Sequence, residues 1–236
     1  MSLKQLVLLP GLDGTGDLFN DFIEALPQSF VAIPVAYPKN IFLSYADLSQ
    51  LVAAAVPKSE PFVLLAESFS SPLAVGYAAT NPPNLTAVVL CAGFVGNPIP
   101  GWSSVAKIVA RPWFFRLKPP RFIIEYLLTG EGATPTLVQK LRRALQDVSP
   151  EVLSARVQEV LHCSAKDDLA RIKVPILYLQ AANDKLLSAS CRDEIFRHRS
   201  DILIKQLPAP HLLLQREPQA AAILVASFIN SLTSSA

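Results

Sequence analysis

The 236 residues contain only three cysteines, Cys91, Cys163 and Cys191. An odd, sparse and irregularly spaced set excludes a disulfide framework and a zinc site. It leaves a reducing compartment, the cytoplasm, as the expected location. Charge is also scarce, at 17% of residues with a net +2. So weak a bias provides no concentrated basic face, and no nucleic-acid partner is expected. Long apolar runs are missing: the longest, residues 220–229, is about half of the ~20 residues that span a bilayer, so no stable membrane insertion is expected. The start carries no basic segment leading into a cleavable apolar stretch. Residues 6–9 instead run into Pro10-Gly11, which reads as a first strand. No fixed-period repeat, low-complexity tract or long charge run interrupts the chain.

What is present is apolar. Hydrophobic residues make up 51% of the chain, enough for a large core. Strand-length apolar runs at 3–9, 30–36, 61–66 and 85–91 alternate with helix-period segments at 17–26, 45–56 and 70–80. Thr15 or Asp17 is the expected cap of the first helix, and Pro82-Pro83 ends the third. Such a rhythm predicts parallel strands joined by right-handed crossovers, hence an α/β doubly wound sheet. The rhythm stops between residues 97 and 171. There, Thr134-Pro135 and Ser149-Pro150 each place a capping hydroxyl before a first-turn proline, and Gly130 closes the piece 122–128. These signals predict roughly four helices. Strands at 176–180 and 202–207 and helices at 190–198 and 218–232 complete the pattern. The expected organisation is a six-stranded core domain from 1–96 and 172–236, with an all-helical cap at 97–171.

The sharpest chemical signal is Ala66-Glu67-Ser68-Phe69-Ser70, where a buried strand turns directly into a helix. A serine on so tight a corner has a strained backbone, and small residues two positions before and after it let strand and helix approach. The hydroxyl is then pushed out at the carboxyl edge of the sheet. Ala66 and Ser70 stand where glycines are usual. The alternative is a serine that merely caps a helix.

Residues 10–16, Pro-Gly-Leu-Asp-Gly-Thr-Gly, form a second strand-to-helix loop. Gly11 and Gly16 have P-loop spacing, but Asp17-Leu18 follow where a lysine and a hydroxyl residue are needed. The glycine order is also the reverse of a dinucleotide fingerprint. An oxyanion-hole loop fits better, with the Leu12 N–H donating beside that of Phe69. Against it stands a Gly-rich turn with no role.

Two further loops follow strand ends on the same edge. Asp184 lies after the fifth strand and His211 after the sixth, and Ser68…Asp184…His211 is the chain order of α/β-hydrolase triads. His162 and His198 are expected on solvent faces. Asp193, Glu194 and Asp201 are rival acids, placed on a helix or before a strand.

With these motifs in place, nearly the whole chain resembles the α/β-hydrolase superfamily, and in particular small microbial carboxylesterases with a helical cap. The resemblance rests on residues 10–16 and on Glu67-Ser68-Phe69-Ser70. The first two strands of that family are missing, and Pro10 stands where many members have histidine. The resemblance implies a serine hydrolase acting on small-molecule carboxylic esters through an acyl-enzyme, with no metal or organic cofactor. Catalysis would fall to Ser68, His211 and Asp184, with Leu12 and Phe69 as oxyanion donors. A serine nucleophile disfavours the dehalogenases and epoxide hydrolases of the fold.

The aromatic stretches 111–116 and 122–128 are expected to bury the cap. A subset including Trp113 and Phe115 would line an apolar pocket for short- to medium-chain or aromatic esters. Arg111, Arg116, Lys118 and Arg121 form a basic run that suits a solvated face, or else an acidic carrier or lipid surface. An acyltransferase or thioesterase with the same triad, and a non-catalytic ligand-binding relative, are the alternative functions.

Overall fold

The computed structural model describes residues 3–99, 111–117 and 121–233; Lys118 lies outside them. Six strands form one all-parallel sheet: β1 (Lys4–Leu9), β2 (Phe30–Pro34), β3 (Phe62–Glu67), β4 (Leu85–Cys91), β5 (Ile176–Ala181) and β6 (Leu203–Leu207). Their spatial order is β2-β1-β3-β4-β5-β6. All six residues of β3 are buried, because a central parallel strand is covered on both faces. The edge strand β6 is half-exposed and admits Lys205 and Gln206.

Alternation divides the core. Val7, Leu9, Leu64, Ala66, Val88 and Leu90 pack on one face against helices α2 (Tyr45–Ala55) and α3 (Ser71–Ala79). Leu6, Leu8, Val63, Leu65, Ala87 and Val89 pack on the other against α1 (Asn20–Ala25) and the closing helix. This is the expected doubly wound α/β architecture.

Between β4 and β5 the described residues are helical: α4 (Pro112–Arg116), α5 (Arg121–Ile124), α6 (Pro135–Gln146), α7 (Pro150–His162) and α8 (Lys166–Arg171). Thr134 and Ser149 cap α6 and α7, each accepting from a backbone N–H three residues on at 3.2 Å. A π-turn, Glu125–Thr129, extends α5. It ends at Gly130 (φ 71°), whose N–H bonds the Glu125 carbonyl at 2.7 Å. The segment holds more pieces than the four expected, because α4 and α8, of five and six residues, are too short to show helical periodicity. Helices α9 (Ala189–His198), α10 (Leu213–Arg216) and α11 (Pro218–Thr233) complete the chain.

The first helix differs from expectation at its start. A 3-10 turn, Asp17–Phe19, precedes α1, and its cap is Gly16 (φ 78°) with no side-chain bond. Thr15 Oγ1 instead accepts from the Asp17 N–H at 3.3 Å. The left-handed backbone at position 16 excludes the expected hydroxyl cap.

Candidate active site

Parallel strands deliver all their following loops to one edge. Leu9 registers with Ala66, Ala66 with Leu90, and Ala181 with Leu207, so the loops after β1, β3, β5 and β6 converge there.

Ser68 directly follows β3 and opens a 3-10 turn, Ser68–Ser70, that leads into α3. Its φ is +46°, a left-handed value that costs a residue with a Cβ about 1–3 kcal/mol. Ala66 and Ser70 are fully buried on either side, and a larger residue at either would push strand and helix apart. Ser70 Oγ bonds the Tyr37 hydroxyl at 2.7 Å and donates to the Pro10 carbonyl, tying this turn to the loop after β1.

His211 Nε2 lies 2.9 Å from Ser68 Oγ, and His211 Nδ1 lies 2.7 Å from Asp184 Oδ2. The carboxylate can only accept, so Nδ1 carries the imidazole proton and Nε2 offers its lone pair to the serine hydroxyl. The other carboxylate oxygen, Oδ1, accepts from the Leu186 and Leu187 N–H groups, both at 2.8 Å. The side chains of His211 and Asp184 are only 4% and 7% exposed, so both are held in one geometry away from bulk water.

The rival acids are engaged elsewhere. Asp193 pairs with Arg192, Glu194 with Lys166 and Asp201 with Arg199. His162 and His198 are not buried, in keeping with the solvent faces expected for them.

The loop after β1 is a tight turn. The Gly14 N–H bonds the Gly11 carbonyl at 3.0 Å, and Asp13 Oδ2 accepts from both the Thr15 N–H and Thr15 Oγ1. Among the described residues the Leu12 N–H has no hydrogen-bond partner. Phe69, at the second position of the 3-10 turn, has an N–H with no acceptor inside its helix. Its carbonyl is held by the Tyr45 hydroxyl at 2.7 Å, and its ring packs on Tyr45 with centroids 5.0 Å apart.

Phe115 packs with Leu12 against one cluster, formed by Val148, Val152 and Leu153. Trp113 is 52% exposed and rests edge-on against Phe114. Arg116 and Arg121 pair with Glu151 and Glu125. The helical segment also grips the histidine loop. The Leu212 N–H bonds the Leu128 carbonyl at 3.0 Å, and Arg216 donates to the carbonyls of Thr129, Gly130 and Glu131.

Sequence reasoning missed two residues of this region. Glu67, at the end of β3, is 2% exposed and accepts from Gln215 Nε2 at 3.3 Å. Its Oε1 and Gln215 Oε1 have no partner among the described residues. Burial, with a smaller push from nearby Asp13, raises the Glu67 carboxyl to about 7. The signal was a single charge closing an otherwise apolar strand. Arg156, also 2% exposed, donates through Nη1 to the carbonyls of Leu12 (2.9 Å) and Asp13 (2.8 Å), and through Nη2 to that of Pro38 (3.0 Å). The spacing Val152, Arg156, Val160 places it on the apolar stripe of α7, which marks a buried cation.

A six-stranded parallel sheet in this order, with a serine, a histidine and a carboxylate hydrogen-bonded in series at its carboxyl edge, defines an α/β-hydrolase. The family model described as serine aminopeptidase, S33, matches residues 36–208, and the chain belongs to that hydrolase family.

The fold is shared with solved structures of low identity. An esterase from Exiguobacterium antarcticum aligns with a TM-score of 0.82 at 14% identity, covering 97% of this chain and 92% of that one. An enol-lactonase from Burkholderia xenovorans aligns at 0.79 and 14%, covering 98% and 92%. A hydrolase from Pseudomonas aeruginosa aligns at 0.76 and 21%, covering 96% and 90%. A comparison with curated proteins finds no match. No helix of the described residues is long and apolar enough to cross a membrane. They also contain no group of three or more His, Cys, Asp or Glu side chains that could hold a metal ion.

Proposed function

We propose that the protein is a serine hydrolase of carboxylic esters, working through an acyl-enzyme. The observation that carries this reading is the pair of hydrogen bonds, 2.9 and 2.7 Å, that link Ser68 to His211 and His211 to Asp184. In this reading Ser68 Oγ attacks the ester carbonyl carbon while its proton passes to His211 Nε2. The tetrahedral oxyanion takes hydrogen bonds from the Leu12 and Phe69 N–H groups, each such donor typically contributing about 3 kcal/mol to the transition state. As the C–O bond to the leaving alcohol breaks, the imidazolium returns the proton to it. Water then attacks the acyl-serine, giving its proton to His211, and the carboxylic acid leaves with Ser68 restored. Asp184 orients the imidazole and stabilises its charged form.

The described helices between Pro112 and Arg171 act as a cap in this reading. The cluster shared by Phe115 and Leu12 supports an apolar wall beside the oxyanion donors; Trp113, exposed on the same short helix, would form its outer rim. It suits short- to medium-chain or aromatic esters. Three free thiols, Cys91, Cys163 and Cys191, fit a cytoplasmic location.

The test is a chain-length series of p-nitrophenyl esters, run with acyl-CoAs, alcohol acceptors and an aminoacyl nitroanilide. The nitroanilide tests the peptidase chemistry named in the family's description. Steady multiple turnover of the shorter esters, labelling of Ser68 by a fluorophosphonate, and a roughly millionfold fall in Ser68→Ala without loss of Tm are expected. Preference for the thioester, the acceptor or the amide would replace the ester assignment. Binding without turnover would make the protein a ligand-binding member of its fold.

A further inference from the structure

We infer that Arg156, reaching out of α7 in the helical segment, is a positioning residue that aims the Leu12 amide as an oxyanion donor; this role rests on the hydrolase reading of the site.

The geometry is specific. A peptide plane points its N–H opposite its C=O. The Gly11–Leu12 plane is held by its oxygen, which accepts from the Gly14 N–H at 3.0 Å, so the Leu12 N–H faces the other way. The next two planes are held by Arg156, which takes the Leu12 and Asp13 carbonyls on the one Nη1 atom. Bonds on both sides of Leu12 therefore fix the direction of its amide.

Nη2 spans to the Pro38 carbonyl and so braces the β1 loop against the loop after β2. The guanidinium carbon also lies 5.6 Å from the Tyr37 ring centroid and 6.0 Å from that of Phe69, the residue bearing the second expected donor.

Two further observations point the same way. Among the described residues Arg156 makes no ion pair, although it is buried; the Asp13 carboxylate favours its charge only through space. A cation at an apolar position of α7 costs burial energy that a leucine would not. Its hydrogen bonds run instead to backbone carbonyls of core loops, an arrangement that only a forked, permanently charged side chain supplies. Gly14 has a φ of +68°, and a Cβ built on it would lie 2.5 Å from Nη1. The loop and the guanidinium thus occupy each other's space.

The experiment compares wild type, Arg156→Lys and Gly14→Ala on p-nitrophenyl butyrate, with fluorophosphonate labelling of Ser68. Hydrogen–deuterium exchange is followed in the peptide covering residues 10–16. Arg156→Lys keeps the charge and loses the fork. It should lower kcat by 10- to 100-fold and leave KM within about threefold. It should also weaken a trifluoromethyl-ketone analogue by a factor similar to the loss in kcat, and speed exchange in residues 10–16 but not in β3. Gly14→Ala displaces the same contact from the loop side and should show the same split if the lysine variant does not fold. Equal kcat in wild type and the folded variants, or a loss confined to KM, would overturn the positioning role alone. A wild type that neither turns over esters nor labels at Ser68 would overturn the reading of the site itself.

Discussion

Replacing Glu67 by glutamine should make the protein more stable, and more so as pH rises. The carboxyl's ordinary value is 4.5 and burial raises it to about 7. Between those values the folded protein holds a proton that the unfolded chain has released. Linkage then makes stability fall as pH rises through that window. The contribution is fully present below 4.5 and lost above 7. At 1.36 kcal/mol per pH unit, the loss between pH 5 and pH 8 is roughly 2–3 kcal/mol. The side-chain amide of the Glu67→Gln variant does not titrate, and it can donate where Glu67 Oε1 and Gln215 Oε1 lack a donor. Measured as Tm of both proteins at pH 5 and pH 8, the advantage of Glu67→Gln should grow by about 5–10 °C at the higher pH. Titrations of groups that do not interact with Glu67 are common to the two proteins and cancel; Asp13 and His211, which do, enter only as smaller contributions than burial. An advantage that is the same at both pH values would refute the assignment of a buried, proton-bearing Glu67.

Three other outcomes follow from the same geometry. Asp184→Asn should lower kcat about 10⁴-fold, since an amide that donates to His211 Nδ1 imposes the wrong tautomer; a loss under tenfold would remove Asp184 from the mechanism. Ser68→Ala should unfold no earlier than wild type, because it removes a hydroxyl at a strained corner; an early melt would give that hydroxyl a structural role. Gly93→Ala places a Cβ 2.2 Å from Ser71 Oγ at the start of α3 and should cost about 1–3 kcal/mol by denaturant unfolding; an unchanged midpoint would show that Ser71 moves aside freely.

The sheet was legible because β3, and β4 from Ala87 on, are buried on both faces and read as near-continuous apolar runs, preceded by Pro61 and Pro82-Pro83. Ser68, Asp184 and His211 were legible because each follows a strand end, and parallel strands bring those ends to one rim. The helical segment was legible where punctuation announced a helix, at Thr134 and Ser149 and at Gly130, which closes the π-turn; α4 and α8 carry no side-chain cap and no such mark. Trp113 and Phe115 look alike as sequence, yet only Phe115 packs inward, since its direction depends on tertiary contacts with α7. Arg156 and Glu67 stand out as charges at apolar positions, but what they bond to was unreadable for a different reason. Their partners are 144 and 148 residues away, and the bonds of Arg156 to backbone carbonyls leave no trace in side-chain patterns.

The bonds from Arg156 to Leu12, Asp13 and Pro38, and from Arg216 to the end of the π-turn, also bear on protein engineering. The helical segment is not an interchangeable module. A chimera that exchanges it for another protein's insertion keeps Ser68, Asp184 and His211, yet strips the β1 turn of its brace and the histidine loop of its anchor. Such grafts should begin by carrying a guanidinium across at the position of Arg156, and only then vary the aromatic residues 113–115.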